Sequence, residues 1–374
     1  MSESLYLAQV ATLGVVILWF TRRQWFMQLQ TLAWIFLTMV IALRYGLQGQ
    51  EDFYSNDQGY HADLVREILA TGLTLDLDWW LSAARIPYVF PATVMAAIGI
   101  EPLLALKFVS LLALLATRFL IQRVVLTTST RDVAITSYLS ATALIGVFFA
   151  ALGLRDTTMM LFVMWFFTSS STAIKISSLV GLGLLRPHLA AAVLIGSLVA
   201  LSFHKLRRYS AVSPLRNFLY LAVAPVLGYY VYSLGLQFQK GLNGVFGHTW
   251  GISPVLRIAS NFVGLQFLTV REATVDYSIT SLLLLRLLLS ETIIIPLLFT
   301  TVVILTRRHS LLMQSVMWSF GIYVGIATNT DFNSFRQNIP FMPVMGLVVL
   351  LAWKEHQERR SGVQTSPLTV RRET

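Results

Sequence analysis

The 374-residue chain contains no cysteine, and only 12% of its residues are charged. The absence of cysteine excludes a disulfide framework, thiolate metal sites and cysteine nucleophiles. The charged fraction is about half of the roughly 25% that is typical of soluble domains. Hydrophobic residues make up 56% of the chain, and they occur in long blocks. These features exclude a soluble enzyme and a disordered protein, and they indicate a polytopic membrane protein.

The apolar blocks predict the membrane spans. A helix that crosses a bilayer needs about 20 mostly apolar residues. Eleven segments approach this pattern, which predicts an all-α membrane protein with about 11 transmembrane helices. They are residues 5–20, 27–43, 103–117, 133–152, 157–167, 176–185, 188–203, 218–238, 287–306, 311–327 and 339–353. The first segment lacks a basic start and a small-residue cleavage site, so we interpret it as a retained helix rather than a signal peptide.

Basic residues indicate the orientation of these helices, because cytoplasmic loops are enriched in Lys and Arg. Basic clusters near Arg22, Arg123, Lys205, Arg307 and Lys354 fall on alternate loops, so all of them are predicted on the cytoplasmic face. The formal net charge of +10 then follows from topology, and a nucleic-acid partner is excluded. We expect a multi-pass protein of the plasma or inner membrane with an external N-terminus.

The chain divides into a membrane body, residues 1–353, and a predicted disordered cytoplasmic tail, residues 354–374. Two external segments, residues 44–102 and 239–280, are longer than simple connectors. Loops of this length are usually functional. The sequence contains no GxxxxGK[ST] motif and no HExxH motif, so the external loops are the candidates for function.

The first external segment contains an amphipathic pattern that follows Asp57. Tyr60, Leu64 and Ile68 form one apolar stripe, which predicts a helix over residues 60–70 that lies on the membrane surface with this stripe toward the bilayer. Asp57 sits at the start of this helix, where backbone N–H groups and the helix dipole favour an ionised carboxylate. Asp57 is therefore either a helix cap only or a general base held near the membrane surface. The two roles are compatible.

Three arginines are predicted at the external edge of the membrane, where the positive-inside bias makes them unexpected. They are Arg155, Arg186 and Arg336. A guanidinium group binds phosphate through two parallel N–H groups, so phosphate recognition is one interpretation. The alternatives are an ion pair between Arg155 and Asp156, and contacts of the other two arginines with lipid headgroups.

The order of these features resembles the GT-C superfamily of membrane glycosyltransferases, especially its protein mannosyltransferase and aminoarabinose transferase branch. The motifs that carry the resemblance are N-D-Q-G-Y-H at 56–61, R-I-P-Y-V-F-P at 85–91, K-F-V-S at 107–110, G-L-R-D at 153–156, R-P at 186–187 and R-Q-N-I-P-F-M-P at 336–343. The family places a Glu after the Asp of the first motif, whereas Gln58 stands here. This change halves the local charge and weakens the case for a divalent cation, the only cofactor that we consider.

The resemblance implies an enzyme that moves a sugar from a polyprenyl-phosphate donor to a glycan, lipid or protein acceptor on the external or periplasmic face, with inversion. It implies catalytic roles for Asp57 and Asp156. The residues expected to bind substrate are Tyr60, His61, Arg155, Arg186 and Arg336.

Other functions stay open at this point. An O-antigen-type polymerase or ligase also uses external arginines and lipid-linked glycans. A transporter or flippase for a lipid-linked sugar would show internal repeats and ionisable groups near the bilayer midplane, whereas the charges here cluster at the external edge and no repeat is seen. A non-catalytic scaffold is the last alternative, but it would not explain the acidic residues of the first external segment.

Overall fold

The computed structural model describes residues 36, 55–71, 86–125, 144–206, 220–230, 279–306, 310–329 and 335–361. Within these residues the protein is all-helical, with 93% helix and no strand, which confirms the predicted all-α class. The helices are α1 (Ser55–Thr71), α2 (Ile86–Ala97), α3 (Pro102–Val125), α4 (Leu144–Leu152), α5 (Asp156–Thr168), α6 (Thr172–Leu185), α7 (Pro187–Leu206), α8 (Tyr220–Tyr230), α9 (Ile279–Leu305), α10 (Leu311–Asn329), a 3-10 helix η1 (Phe335–Phe341), and α11 (Met342–Ser361).

Three stretches are long and apolar enough to cross a membrane, judged by length and composition over the described part of the chain. They are Pro102–Val125, Pro187–His204 and Asn338–Gln357. Among the other apolar helices, α5 and α6 have only 13 and 14 residues. α9 has 27 residues, of which Thr292–Leu305 form its described apolar part. These findings are consistent with a membrane protein, while the number of about 11 spans stays a prediction. The predicted spans 5–20 and 27–43 lie outside the described residues, apart from residue 36.

The structure departs from the sequence prediction at α2 and at the end of α11. Residues 86–97 form a helix although two prolines lie in it. Pro87 is tolerated because the first N–H groups of a helix have no intrahelical partner. At the other end of the chain, α11 continues to Ser361, so the predicted disordered tail is wrong for residues 354–361, where Glu, Gln, Lys and Arg favour helix. Residues 362–374 lie outside the described part.

α1 confirms the helix predicted after Asp57, but it differs in its start and in its orientation. It begins at Ser55, so Asp57 lies inside the first turn instead of preceding the helix as a cap. Leu64, Val65 and Ile68 are buried, and the helix packs against α2 and α3. Leu64 and Ile68 of the predicted apolar stripe therefore face the protein rather than the bilayer, because α2 supplies an apolar surface that the sequence prediction did not include. Tyr60, the first residue of the stripe, is 45% exposed.

An ion pair and a helix cap fix α1 to the start of α3. Arg66 Nη2 donates to Glu101 Oε1 at 3.2 Å, and Glu101 Oε2 accepts a hydrogen bond from the backbone N–H of Leu104 at 3.0 Å. Arg66 also pairs with Asp63 at 2.6 Å. Exposed ion pairs of this kind are worth only about 0–1 kcal/mol each. They orient α1, while its buried apolar residues hold it in place.

Helices α7, α8 and α10 pack closely through small residues. A Cβ added at Gly196 would collide with the backbone of Ser319, and one added at Gly325 would collide with the backbone of α8. Gly321 and Gly325 form a G-x-x-x-G pattern on α10, and small residues of this kind let membrane helices approach each other. This packing fixes Tyr323, which lies between the two glycines in sequence and is fully buried.

Candidate functional site

The candidate site starts at the turn between α4 and α5. Gly153 has a φ of +70°, in the left-handed region that glycine adopts without a steric penalty. Arg155 occupies the N-cap position of α5 without a capping hydrogen bond from its side chain, and Asp156 is the first residue of the helix. Asp156 is fully buried, at a helix N-terminus whose dipole favours a negative charge. The G-L-R-D motif is thus a left-handed turn that presents an arginine and an aspartate at the start of α5.

The connection between α6 and α7 brings Arg186 to the same place. Arg186 ends α6, where its backbone N–H donates to the Leu182 carbonyl at 2.7 Å, and its side chain is buried. Arg155 Nη1 donates a hydrogen bond at 3.2 Å to the carbonyl of Leu185, the residue before Arg186. Two of the three arginines that were predicted at the external edge therefore come to the same place, Arg155 from the start of α5 and Arg186 from the end of α6.

Tyr323 of α10 joins this group. Its hydroxyl accepts a hydrogen bond from Arg186 Nη1 at 2.9 Å. Its ring lies parallel to that of His188, with centroids 5.9 Å apart and an interplanar angle of 8°. The charges of Arg186, Asp156 and Arg155 all act on Tyr323. Side chains of α5, α7 and α10, with Arg186 between α6 and α7, therefore form one polar cluster at one end of an apolar bundle.

η1 places the segment of Arg336 beside this cluster. Phe341, the last residue of η1, packs against Tyr323 with ring centroids 5.4 Å apart, and η1 also contacts α5. Asn338 is buried. The Arg336 side chain lies outside the described residues, so the structure brings its helical turn to the cluster without locating its guanidinium group.

Tyr88 of α2 connects α1 to the other side of the Gly153 turn. Its hydroxyl donates to the Gly153 carbonyl, and its ring packs edge-on against His61 with centroids 5.4 Å apart. Ser110 Oγ donates to the Leu154 carbonyl at 3.1 Å. The turn that carries the arginine and aspartate is therefore held by α2 and α3 together.

The three predicted site residues on α1 differ in their surroundings. His61 is 2% exposed and packs between Tyr60 and Tyr88, whereas Tyr60 is 45% exposed. Asp57 lies about one helical turn before His61, and its side chain lies outside the described residues. The structure brings the helix of Asp57 to the candidate site, while its carboxylate position stays a prediction.

Three residues near the cluster were not among the predicted site residues, namely Lys107, His188 and Tyr323, although Lys107 opens one of the motifs that carry the resemblance. Lys107 on α3 is fully buried, and its Cγ lies 2.9 Å from where a Cβ of Gly153 would be. A lysine inside an apolar span is costly and usually functional, which was the available signal. No sequence signal separates Tyr323 from the other aromatic residues of its span.

Basic side chains outnumber acidic ones among the described residues around this turn. Lys107, Arg155 and Arg186 are basic, and Asp156 is acidic. This composition favours an anionic ligand over a cationic one, because guanidinium groups bind carboxylate and phosphate oxygens.

No group of three His, Asp or Glu side chains that would suit a metal ion occurs in the described ranges. The carboxylate of Asp57 lies outside them, so the divalent cation considered for that position stays untested. Comparisons of the chain with protein-family models, curated proteins and solved structures found no match.

Proposed function

We propose that the protein is a membrane glycosyltransferase that moves a sugar from a polyprenyl-phosphate donor to an acceptor at the external face of the plasma or inner membrane. The observation that carries the proposal is the convergence of Arg155, Asp156 and Arg186 with Tyr323 at one end of an apolar bundle. A lipid phosphate suits this arrangement, because guanidinium groups bind its charge and its tail lies among apolar helices.

In the proposed reaction, the acceptor hydroxyl oxygen forms a bond with the anomeric carbon as the bond from that carbon to the phosphate oxygen breaks. The phosphate leaves with the electron pair, and the acceptor proton passes to the carboxylate of Asp57. Arg186 and Arg336 hold the phosphate and stabilise its developing charge. Attack from the face opposite the phosphate inverts the anomeric centre.

The buried residues of the cluster receive positioning roles. Asp156 is fully buried, and its charge acts on Tyr323 together with the charges of Arg155 and Arg186. Its proposed role is to keep the two guanidinium groups oriented toward the phosphate. His61 acts through Tyr88, which contacts the Gly153 turn. Tyr60 is exposed on the same helix and is assigned to contact with the substrate.

One observation favours a second candidate, a flippase for the same lipid-linked sugar. Buried polar residues follow α3 along much of its length, namely Lys107, Ser110, Thr117 and Arg118. From Lys107 to Arg118 the helix rises about 16 Å. Ionisable groups inside the membrane often mark transport pathways. The two candidates differ in their product, since a flippase moves the donor without breaking its glycosidic bond.

The test is transfer by the purified protein in vesicles that contain a panel of radiolabelled polyprenyl-phosphate hexoses and pentoses, with cell membranes as the acceptor source. Asp57→Asn should lower the turnover about 10²–10⁴-fold, the usual range for loss of a general base. Asn has the same shape as Asp and loses only the favourable interaction of the carboxylate with the helix dipole, worth about 0.3–1 kcal/mol, so folding should change little. Asp63→Asn is the matched control, because Asp63 is an exposed acid on the same helix, and it should keep full activity.

Arg336→Lys gives the complementary measurement in the same assay. It keeps the charge but loses the planar pair of N–H groups, so the KM for the donor should rise with little change in thermal stability. Transfer near the wild-type rate by Asp57→Asn and Arg336→Lys would contradict the catalytic assignment. Movement of intact donor across the bilayer without sugar transfer would favour the flippase.

A further inference from the structure

His188, the second residue of α7, has a buried Nε2 atom that is not hydrogen-bonded to any described residue. Buried polar atoms in folded proteins are nearly always paired. The imidazole is held by its parallel contact with Tyr323, so its position does not depend on a hydrogen bond at Nε2. This atom is therefore available for a hydrogen bond from a bound ligand.

The groups around His188 indicate the charge of that ligand. Arg186 and Arg155 both act electrostatically on the imidazole. Arg186 is oriented by its hydrogen bond to Tyr323, so its guanidinium group and the imidazole contact the same phenol, one at the hydroxyl and one at the ring. A ligand that reaches Nε2 therefore lies near the guanidinium group of Arg186 and within the electrostatic influence of Arg155, which favours an anionic oxygen.

We infer that His188 binds the donor phosphate, with its Nε2–H donating to a non-bridging oxygen of a prenyl phosphate that Arg186 holds. This inference rests on the proposed function and adds a further residue to its donor site. Tyr323 is the positioning residue, because it orients both the arginine and the imidazole. The apolar helices that end at the cluster accommodate the prenyl chain.

The test measures binding, without sugar transfer. Farnesyl phosphate, farnesol and inorganic phosphate are titrated into the full-length protein in detergent by calorimetry. His188→Phe keeps a ring that stacks on Tyr323 but has no N–H group. It should weaken farnesyl phosphate binding about tenfold or more, the expected effect of losing a hydrogen bond to a charged group, and leave farnesol binding unchanged.

Two further variants and one control separate the hydrogen bond from folding. His188→Gln places an amide N–H at about the reach of Nε2 and should keep most of the affinity, whereas the shorter His188→Asn should not. His204→Phe is the matched control, because His204 is exposed on the same helix, and it should bind like the wild type. If His188→Phe fails to fold, the difference in farnesyl phosphate affinity between His188→Gln and His188→Asn tests the hydrogen bond instead.

Three binding results would contradict the inference, and each would overturn a different part of it. Equal binding of farnesyl phosphate by wild type and His188→Phe, or by the Gln and Asn variants, would overturn the role of His188 and leave the proposed function standing. If the wild-type protein binds farnesyl phosphate no better than farnesol, both the role of His188 and the proposed function would be overturned. Tighter binding of inorganic phosphate than of farnesyl phosphate would show a site for free phosphate and would overturn the lipid assignment.

Discussion

Gly153 is the residue on which the geometry of the candidate site depends most directly. Its φ of +70° reverses the chain between α4 and α5, and its carbonyl accepts the Tyr88 hydroxyl. On the other side, Lys107 leaves no room for a side chain at this position. The left-handed turn and the close approach of α3 therefore require glycine, and Arg155 follows two residues later.

At this residue, Gly153→Ala should lower the free energy of unfolding by about 1–3 kcal/mol, because a non-glycine residue is strained in the left-handed region and its methyl group would meet the Lys107 side chain. The melting temperature in detergent measures this loss. Gly59→Ala is the control, since a Cβ there has no neighbour within 4 Å, and alanine should be neutral or stabilising in a helix. Equal melting temperatures for the two variants would contradict this account of the turn.

The sequence predicted part of this residue-level geometry. The motif order placed Arg155, Asp156 and Arg186 at one membrane face, and the structure brings them together. It did not predict Tyr323 or His188, because their contacts join α7 to α10, and apolar periodicity within one helix carries no information about the ring that packs against it.

Among the helices, α1 was predicted from the sequence, whereas α2 and its packing against α1 were not. The spacing of apolar residues predicted α1, since a period near 3.6 is a local property. It could not show that the apolar face packs on α2, because residues 86–97 belong to the external segment 44–102, in which no second helix was predicted. The long spans were easier to predict, since α3 and α7 overlap apolar segments that need no partner to be recognised.

Tyr88 is the connection through which α1 and the Gly153 turn keep their relative position, so Tyr88→Phe tests an element-level coupling. The variant keeps the ring that packs on His61 and loses the hydrogen bond to the Gly153 carbonyl. Loss of one buried hydrogen bond costs about 1 kcal/mol. Because α1 carries the proposed base and the turn leads to the proposed phosphate site, we expect kcat to fall about fivefold to tenfold, with the KM for the donor little changed.

The measurement for Tyr88→Phe is steady-state transfer together with the melting temperature. Tyr230→Phe removes an exposed hydroxyl on α8 and should change neither quantity. A rise in KM with unchanged kcat would place the role of Tyr88 in donor binding instead. Loss of stability with unchanged kinetics would make it a packing residue only.

At the scale of the whole molecule, the two ends of α3 define opposite faces of the bundle. Glu101 caps the start of α3, where Arg66 of α1 reaches it. At the other end, the Lys354 ammonium donates to the Val125 carbonyl, so the C-terminal part of α11 lies beside the end of α3. A 24-residue helix is about 36 Å long, enough to cross a hydrocarbon core of about 30 Å.

The positive-inside bias then predicts which face is cytoplasmic. Arg123 and Lys354 lie at the predicted cytoplasmic end of this helix pair, and the acids Asp63 and Glu101 lie at the predicted external end. The chain has no cysteine, so single cysteines introduced at exposed positions report the topology without background. Asp63→Cys should react with an impermeant maleimide in intact cells, whereas Gln357→Cys should react only after permeabilisation. The unmodified chain should stay unlabelled in both conditions. Labelling of position 357 but not of position 63 in intact cells would invert the topology and place the arginine cluster on the cytoplasmic face, where an external acceptor could not reach it.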